Sequence, residues 1–144
     1  MIIISSCLAG VPCRYDGKAT PDAECMKLVE KGQAKTACPE LMGGLVTPRE
    51  PCEIVGGDGY DVLEGRARII NKKGVDVTEG FVAGAKKFLD FLQIEGADMV
   101  YLKAKSPSCG VGVIYDGTFS GKLKAGDGVL AALLKMNGIK LLAR

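Results

Sequence analysis

The sequence predicts an α/β fold: a single domain with a mostly parallel sheet and helices on both faces, a Rossmann-like three-layer arrangement. Two observations carry this. Short apolar runs at 2–5, 34–37, 99–103 and 139–142 alternate with helical patterns, which favours parallel strands joined by crossover helices. The chain of 144 residues is long enough for one packed core, and no linker, repeat or low-complexity tract divides it.

Ile2 to Ser5 is β-branched and apolar up to its last residue, a short buried strand. A loop follows from Ser6 to Gly17. Thr20-Pro21-Asp22 has the composition of a helix start, with Thr20 as N-cap, and Gly32 stops the helix after Glu30. Ala34 to Ala37 is the second strand. Cys38-Pro39-Glu40 ends it, and a long loop continues to Pro51. Asp61 to Leu63 and Arg66 to Ile70 either pair as a hairpin around Glu64-Gly65 or lead into the next helix. Asp76-Val77-Thr78-Glu79 reads as a capping box. Phe81, Ala85, Phe88, Leu89 and Leu92 then recur at helical spacing up to a stop at Gly96. Met99 to Lys103 is a strand that delivers the loop Ser106-Pro107-Ser108-Cys109-Gly110. Asp127 is placed to cap a final helix carrying Leu130, Leu133 and Leu134, and Ile139 to Leu142 closes the chain as a strand.

Composition narrows the function. Hydrophobic residues make up 47% and charged residues 25%, with a net charge of +2. Such a mild charge argues against a nucleic-acid or membrane surface but suits a small anionic ligand. The apolar start, Met1 to Ile4, is far too short for a signal peptide or a membrane span, so a cytoplasmic protein is expected. There are 6 Cys and no His. Without an export signal, free or metal-binding thiols are favoured over disulfides. The absence of His removes Cys–His and Ser–His–Asp catalysis and any mixed Cys/His zinc site.

Cys7, Cys38 and Cys109 each follow a predicted strand. Loops at the carboxyl ends of parallel strands converge on one crevice, so the three can meet. Cys25 reads as a core residue inside a helix; Cys13 and Cys52 lie in loops near the crevice. Three thiolates suit a [4Fe–4S] cluster with one iron left unligated, where substrate can bind. A zinc site built from four cysteines is the nearest rival, weakened like the cluster by the absence of any C-x-x-C pair, and structural or merely reactive thiols are the other reading. Arg14 and Arg49 flank the crevice and have the fork geometry for a phosphate. Lys103 and Lys105 frame the cysteine loop, Tyr15 is available for stacking, and Asp16 reads as a turn residue before Gly17.

The motifs Ser6-Cys7-Leu8-Ala9-Gly10, Arg14-Tyr15-Asp16-Gly17, Cys38-Pro39-Glu40, Gly43-Gly44-Leu45, Pro48-Arg49, Ser106-Pro107-Ser108-Cys109-Gly110 and Thr118-Phe119-Ser120-Gly121 run through the whole chain in order. Together they resemble the domain of unknown function 523 family, whose characterised members are thiouracil desulfidases. The resemblance implies a [4Fe–4S] cluster on Cys7, Cys38 and Cys109, with the open iron capturing the substrate's sulfur. It implies Glu40 and Ser106 as catalytic groups; beside them, Arg14, Tyr15, Arg49 and Ser108 are the candidate substrate contacts. The implied reaction is non-redox, hydrolase-type desulfidation of 4-thiouracil or 4-thiouridine monophosphate to uracil or UMP and hydrogen sulfide. The partner is then a small thiopyrimidine or its nucleotide. The alternative is a non-catalytic zinc- or nucleotide-binding module.

Overall fold

The computed structural model describes residues 1–144. Its centre is a parallel sheet of four strands, β1 (Ile2–Ser5), β2 (Ala34–Ala37), β5 (Met99–Leu102) and β8 (Lys140–Ala143), in the order β2-β1-β5-β8. Ile3 stands opposite both Lys35 and Val100, and Tyr101 opposite Leu142. Strand alternation sends Ile3, Val100 and Leu102 to one face and Ile4 with Tyr101 to the other. The first face is covered by α4 (Thr78–Glu95) and α5 (Val129–Met136) through Phe81, Phe88, Leu92, Leu130 and Leu134. The second is covered by α1 (Ala23–Glu30), whose Cys25 packs against Ile4 and Ala34. The three-layer α/β expectation holds.

Two antiparallel pairs are added. β3 (Cys52–Val55) pairs with β4 (Arg68–Asn71), and β6 (Val113–Tyr115) pairs with β7 (Leu123–Ala125). The expected 61–63/66–70 hairpin is therefore corrected. Residues Gly59–Leu63 form a helix, α3, because Asp58 accepts from the N–H groups of Tyr60 and Asp61 while Asp61 returns a bond to Asp58 N. Gly65 ends that helix; the true partner of β4 lies upstream, at Cys52–Val55, where the sequence predicted no strand.

Three helix starts also differ. Asp22, not Thr20, caps α1, accepting from Cys25 N at 3.0 Å, while Thr20 N donates to Cys7 O at 3.0 Å. At α4 there is no capping box: Asp76 accepts from Thr78 N, and the Thr78 hydroxyl accepts from Ile69 N at 2.9 Å, tying the helix to β4. At α5, Asp127 is not the cap. Its carboxylate accepts from Gly112 N at 2.7 Å and pairs with Lys135 at 2.9 Å. The first N–H groups of α5 go instead to the cysteine loop: Gly128 N to Gly110 O, Val129 N to Pro107 O and Leu130 N to Ser108 O, all 2.8–2.9 Å. No helix is long and apolar enough to cross a membrane.

A short helix, α2 (Pro39–Met42), follows β2 directly, and its packing on α4 sets the site. The two backbones approach so closely that a Cβ on Gly84 would stand 1.9 Å from Pro39 O, and one on Gly43 would stand 2.0 Å from Gly80 O. Alanine at position 84 gains about 1 kcal/mol of helix propensity. The clash is with backbone, which cannot swing aside, so overpacking wins. We predict that Gly84→Ala destabilises the protein by about 2–3 kcal/mol in denaturant unfolding, whereas Gln93→Ala on the exposed side of the same helix changes stability by less than about 0.5 kcal/mol. Equal stability of the two variants would refute this close seam.

Candidate active site

The strands of the central sheet are parallel, so the segments after β1, β2 and β5 emerge along one edge. The chain passes from β1 to β2 on one side and returns to β5 on the other, and a crevice opens at such a reversal. Here the crevice is a cleft of about 360 Å³. Cys7, Cys38, Cys109, Glu40, Ser106, Arg14, Tyr15 and Arg49 all line it. Of the site residues expected from the sequence, Ser108 is the exception. It is fully buried, lies outside the lining, and its Oγ has no partner. Its expected substrate contact is not supported. The loop turns Ser108 inward because its carbonyl must meet the start of α5.

Each thiol is held by a different local device. Cys7 sits in a 3₁₀ turn, Ser6–Ala9, that ends at Gly10 with φ 91°, a left-handed conformation suited to glycine. Cys38 is the residue immediately before α2, and its thiol donates to Glu40 Oε2 at 3.3 Å. Cys109 is buried; its N–H donates to Ser106 Oγ at 2.7 Å, and Ser5 Oγ donates to its sulfur at 3.7 Å. The same Ser5 hydroxyl accepts from Lys103 N at 3.1 Å, so β1 and the start of the cysteine loop share one residue.

The thiols differ in electrostatics. The Cys7 thiol is brought down to about 6, chiefly by the Cys13 side chain donating to it, with burial opposing. Cys13 lies between Cys7 and Cys38, and is pushed up by Cys38, by Cys7 and by burial. Burial pushes Cys109 well above the ordinary thiol range, and Glu40 adds to it. Cys52, the first residue of β3, also lines the cleft, and burial raises it to about 11. Cys25 sits away from the cleft in the core behind α1, as expected. All six cysteines are free.

The cations are arranged around these thiols. Lys103 lines the cleft and feels both Cys7 and Cys109; burial first, then Arg14, lowers its pKa. Arg49 is largely committed: its Nη1 donates to Val46 O at 3.1 Å, Thr47 Oγ1 at 3.3 Å and Cys13 O at 3.4 Å, stitching the long loop to the Cys13 turn. Arg14 lies 5.7 Å from the Tyr15 ring centre and 3.6 Å from Asp16. Cleft residues that the sequence reading missed are Glu53 and Tyr115. No sequence signal pointed to either, although the turn whose Gly117 and Phe119 N–H groups bond to Glu53 overlaps the motif Thr118-Phe119-Ser120-Gly121.

The donor set fits an iron–sulfur cluster. Three soft thiols arrive from three separate segments, Lys103 stands by to offset negative charge, and no His or carboxylate triad competes. No three Cys, Asp or Glu side chains crowd round a single-ion position. Thiolates of one cluster bind separate irons and stand further apart than the ligands of one ion.

At 52% identity over 143 residues, the chain is similar to the "uncharacterized protein YbbK" of Bacillus subtilis (strain 168), covering 99% of this chain and 95% of that protein. Among solved structures it is similar to the [4Fe-4S]-dependent thiouracil desulfidase TudS, with a TM-score of 0.86 and 39% identity, covering 99% of this chain and 89% of the other. The sequence model of the 2-thiouracil desulfurase family matches residues 2–144, and the chain belongs to that family.

Proposed function

We propose that this protein is a [4Fe–4S]-dependent desulfidase acting on a thiolated pyrimidine of the 4-thiouracil or 4-thiouridine monophosphate type. The observation that carries this reading is the meeting of Cys7, Cys38, Cys109 and Glu40 in one cleft. The overall change replaces C=S by C=O: one water is consumed, one hydrogen sulfide leaves, and no electrons are transferred. Cys7, Cys38 and Cys109 hold the cluster. When bound, the cluster supplies a thiophilic, Lewis-acidic iron.

The chain's own residues do the rest. Glu40 is the general base: its carboxylate beside Cys38 takes a proton from the water that attacks the ring carbon, then returns one to the departing sulfur. Ser106 already accepts from Cys109 N, so its hydroxyl hydrogen remains to donate to the substrate. Tyr15, 40% exposed, offers a ring face for stacking at the cleft. Arg14 and the uncommitted donors of Arg49 serve the phosphate of a nucleotide substrate. Residues 1–144 act as one desulfidase domain, in a cytoplasm that keeps these thiols reduced.

Anaerobic reconstitution is expected to give about four irons and four sulfides per chain with broad visible absorption. The loaded protein then releases sulfide from 4-thiouracil or 4-thiouridine monophosphate, and chelator-stripped protein releases none. Stoichiometric zinc and a colourless, inactive protein would sink the proposal. Replacing Cys7, Cys38 or Cys109 by Ala abolishes cluster loading and sulfide release, whereas Cys25→Ala leaves both in place.

Glu40→Gln separates chemistry from cofactor binding. It retains iron, while kcat falls by about 10²- to 10⁴-fold. Undiminished turnover in that variant would remove Glu40 from the mechanism.

A further inference from the structure

Glu53 is a carboxylate that the reaction above leaves without a role. It sits in the middle of β3, 9% exposed, with no cation paired to it. One of its oxygens is fully engaged: Oε1 accepts from Gly117 N at 2.9 Å and from Phe119 N at 3.2 Å. These donors belong to the tight turn between β6 and β7, where Phe119 has φ 55° and Gly117 φ 94°. A Cβ on Gly117 would stand 2.6 Å from Ile54 O, so the turn lies directly on β3. The other oxygen, Oε2, has no partner in the protein and is not sealed from solvent, and Glu53 lines the cleft. The side chain is therefore clamped by one oxygen, and its other oxygen is left unengaged on a residue that lines the cleft.

We propose that Glu53 is a specificity-determining residue: its free oxygen accepts the ring N3–H of the thiopyrimidine. The assignment rests on the desulfidase reading. An ionised carboxylate offers only acceptors. Because its partner oxygen is fixed by two backbone N–H groups, this one cannot turn to suit another ligand. N3 lies between C2 and C4, so its hydrogen stands beside the thiocarbonyl whichever carbon carries the sulfur. N1 is substituted in a nucleotide, which leaves N3–H as the ring donor. A site built to receive an N–H also discriminates strongly against a ring that lacks it, because the buried acceptor is then left unpaired.

Glu53→Gln tests this cleanly. The two backbone donors demand an acceptor, so the Gln carbonyl takes the place of Oε1 and its NH₂ replaces Oε2. The turn is kept, the size is unchanged, and the cleft presents a donor where it had an acceptor. With iron-loaded enzyme, 4-thiouracil and 3-methyl-4-thiouracil are compared by kcat/KM for sulfide release. Wild type is expected to prefer the parent base by about 10- to 100-fold or more. In Glu53→Gln that preference shrinks at least about tenfold, mainly through loss on the parent base, with iron content unchanged. Steric rejection of the methyl group is the same in both proteins, so a ratio that does not move overturns the assignment. Should Glu53→Gln fail to fold, wild type alone decides: equal turnover of the 3-methyl and parent bases overturns it, and rejection of the 3-methyl base with acceptance of the 1-methyl base supports it. Absence of sulfide release from the parent base by iron-loaded wild type would instead bring down the desulfidase reading, and this assignment with it.

Discussion

The seating of the cysteine loop on the first turn of α5 is the contact on which the site depends most. A helix start leaves N–H groups without intrahelical partners. Here the carbonyls of Pro107, Ser108 and Gly110 take the N–H groups of Gly128, Val129, Leu130 and Ala131. The fit excludes side chains: a Cβ on Gly128 would lie 2.4 Å from Ser108 O, and one on Gly110 would lie 2.8 Å from Ser106 O. The loop thus replaces a side-chain cap, and the helix holds the loop rigid in return. Cys109 is fixed from behind by secondary structure and from the side by Ser5 and Ser106. A buried thiol with no freedom to wander is what a cluster ligand requires.

The second anchor works by the same logic with different parts. Cys38 precedes a single turn of helix too short to be stable alone. Its stability comes from the glycine seam with α4, where Gly43, Gly80 and Gly84 let two backbones touch. The first anchor, Cys7, needs only the tight turn ending at Gly10. Three unrelated devices therefore bring three thiols to one place, and the parallel sheet makes this possible by directing all three strand ends the same way. The antiparallel pairs β3–β4 and β6–β7 add the remaining walls, through Cys52, Glu53 and Tyr115.

The central sheet was legible because its strands are short apolar runs and its longest helix carries a clear 3.6-residue period. The cysteines that follow those strands were legible for the same reason, since parallel topology converts strand ends into neighbours. Elements held by tertiary contacts were not. β3 contains the charged Glu53 and starts at Cys52, so it reads as loop until β4 and the 116–121 turn supply its partners. α2 carries no periodic signal within its four residues. Asp127 resembles a cap in sequence, but Lys135, two turns further along α5, draws its carboxylate away. Ser108 stands inside a functional motif, yet its backbone is what the structure uses.

The two carboxylates Glu40 and Glu53 of the cleft are tied to different kinds of partner. Glu53 is bonded to backbone N–H groups, which never lose their protons, so its orientation is held. Glu40 is bonded to a thiol, and that bond exists only while Cys38 keeps its proton. A cysteine that ligates metal does so as the thiolate. A Cys38 thiolate has no proton to donate, so this bond ties Glu40 less firmly than the two backbone donors tie Glu53. The distinction needs no difference in residue type, only in whether the hydrogen-bond donor can give its proton away.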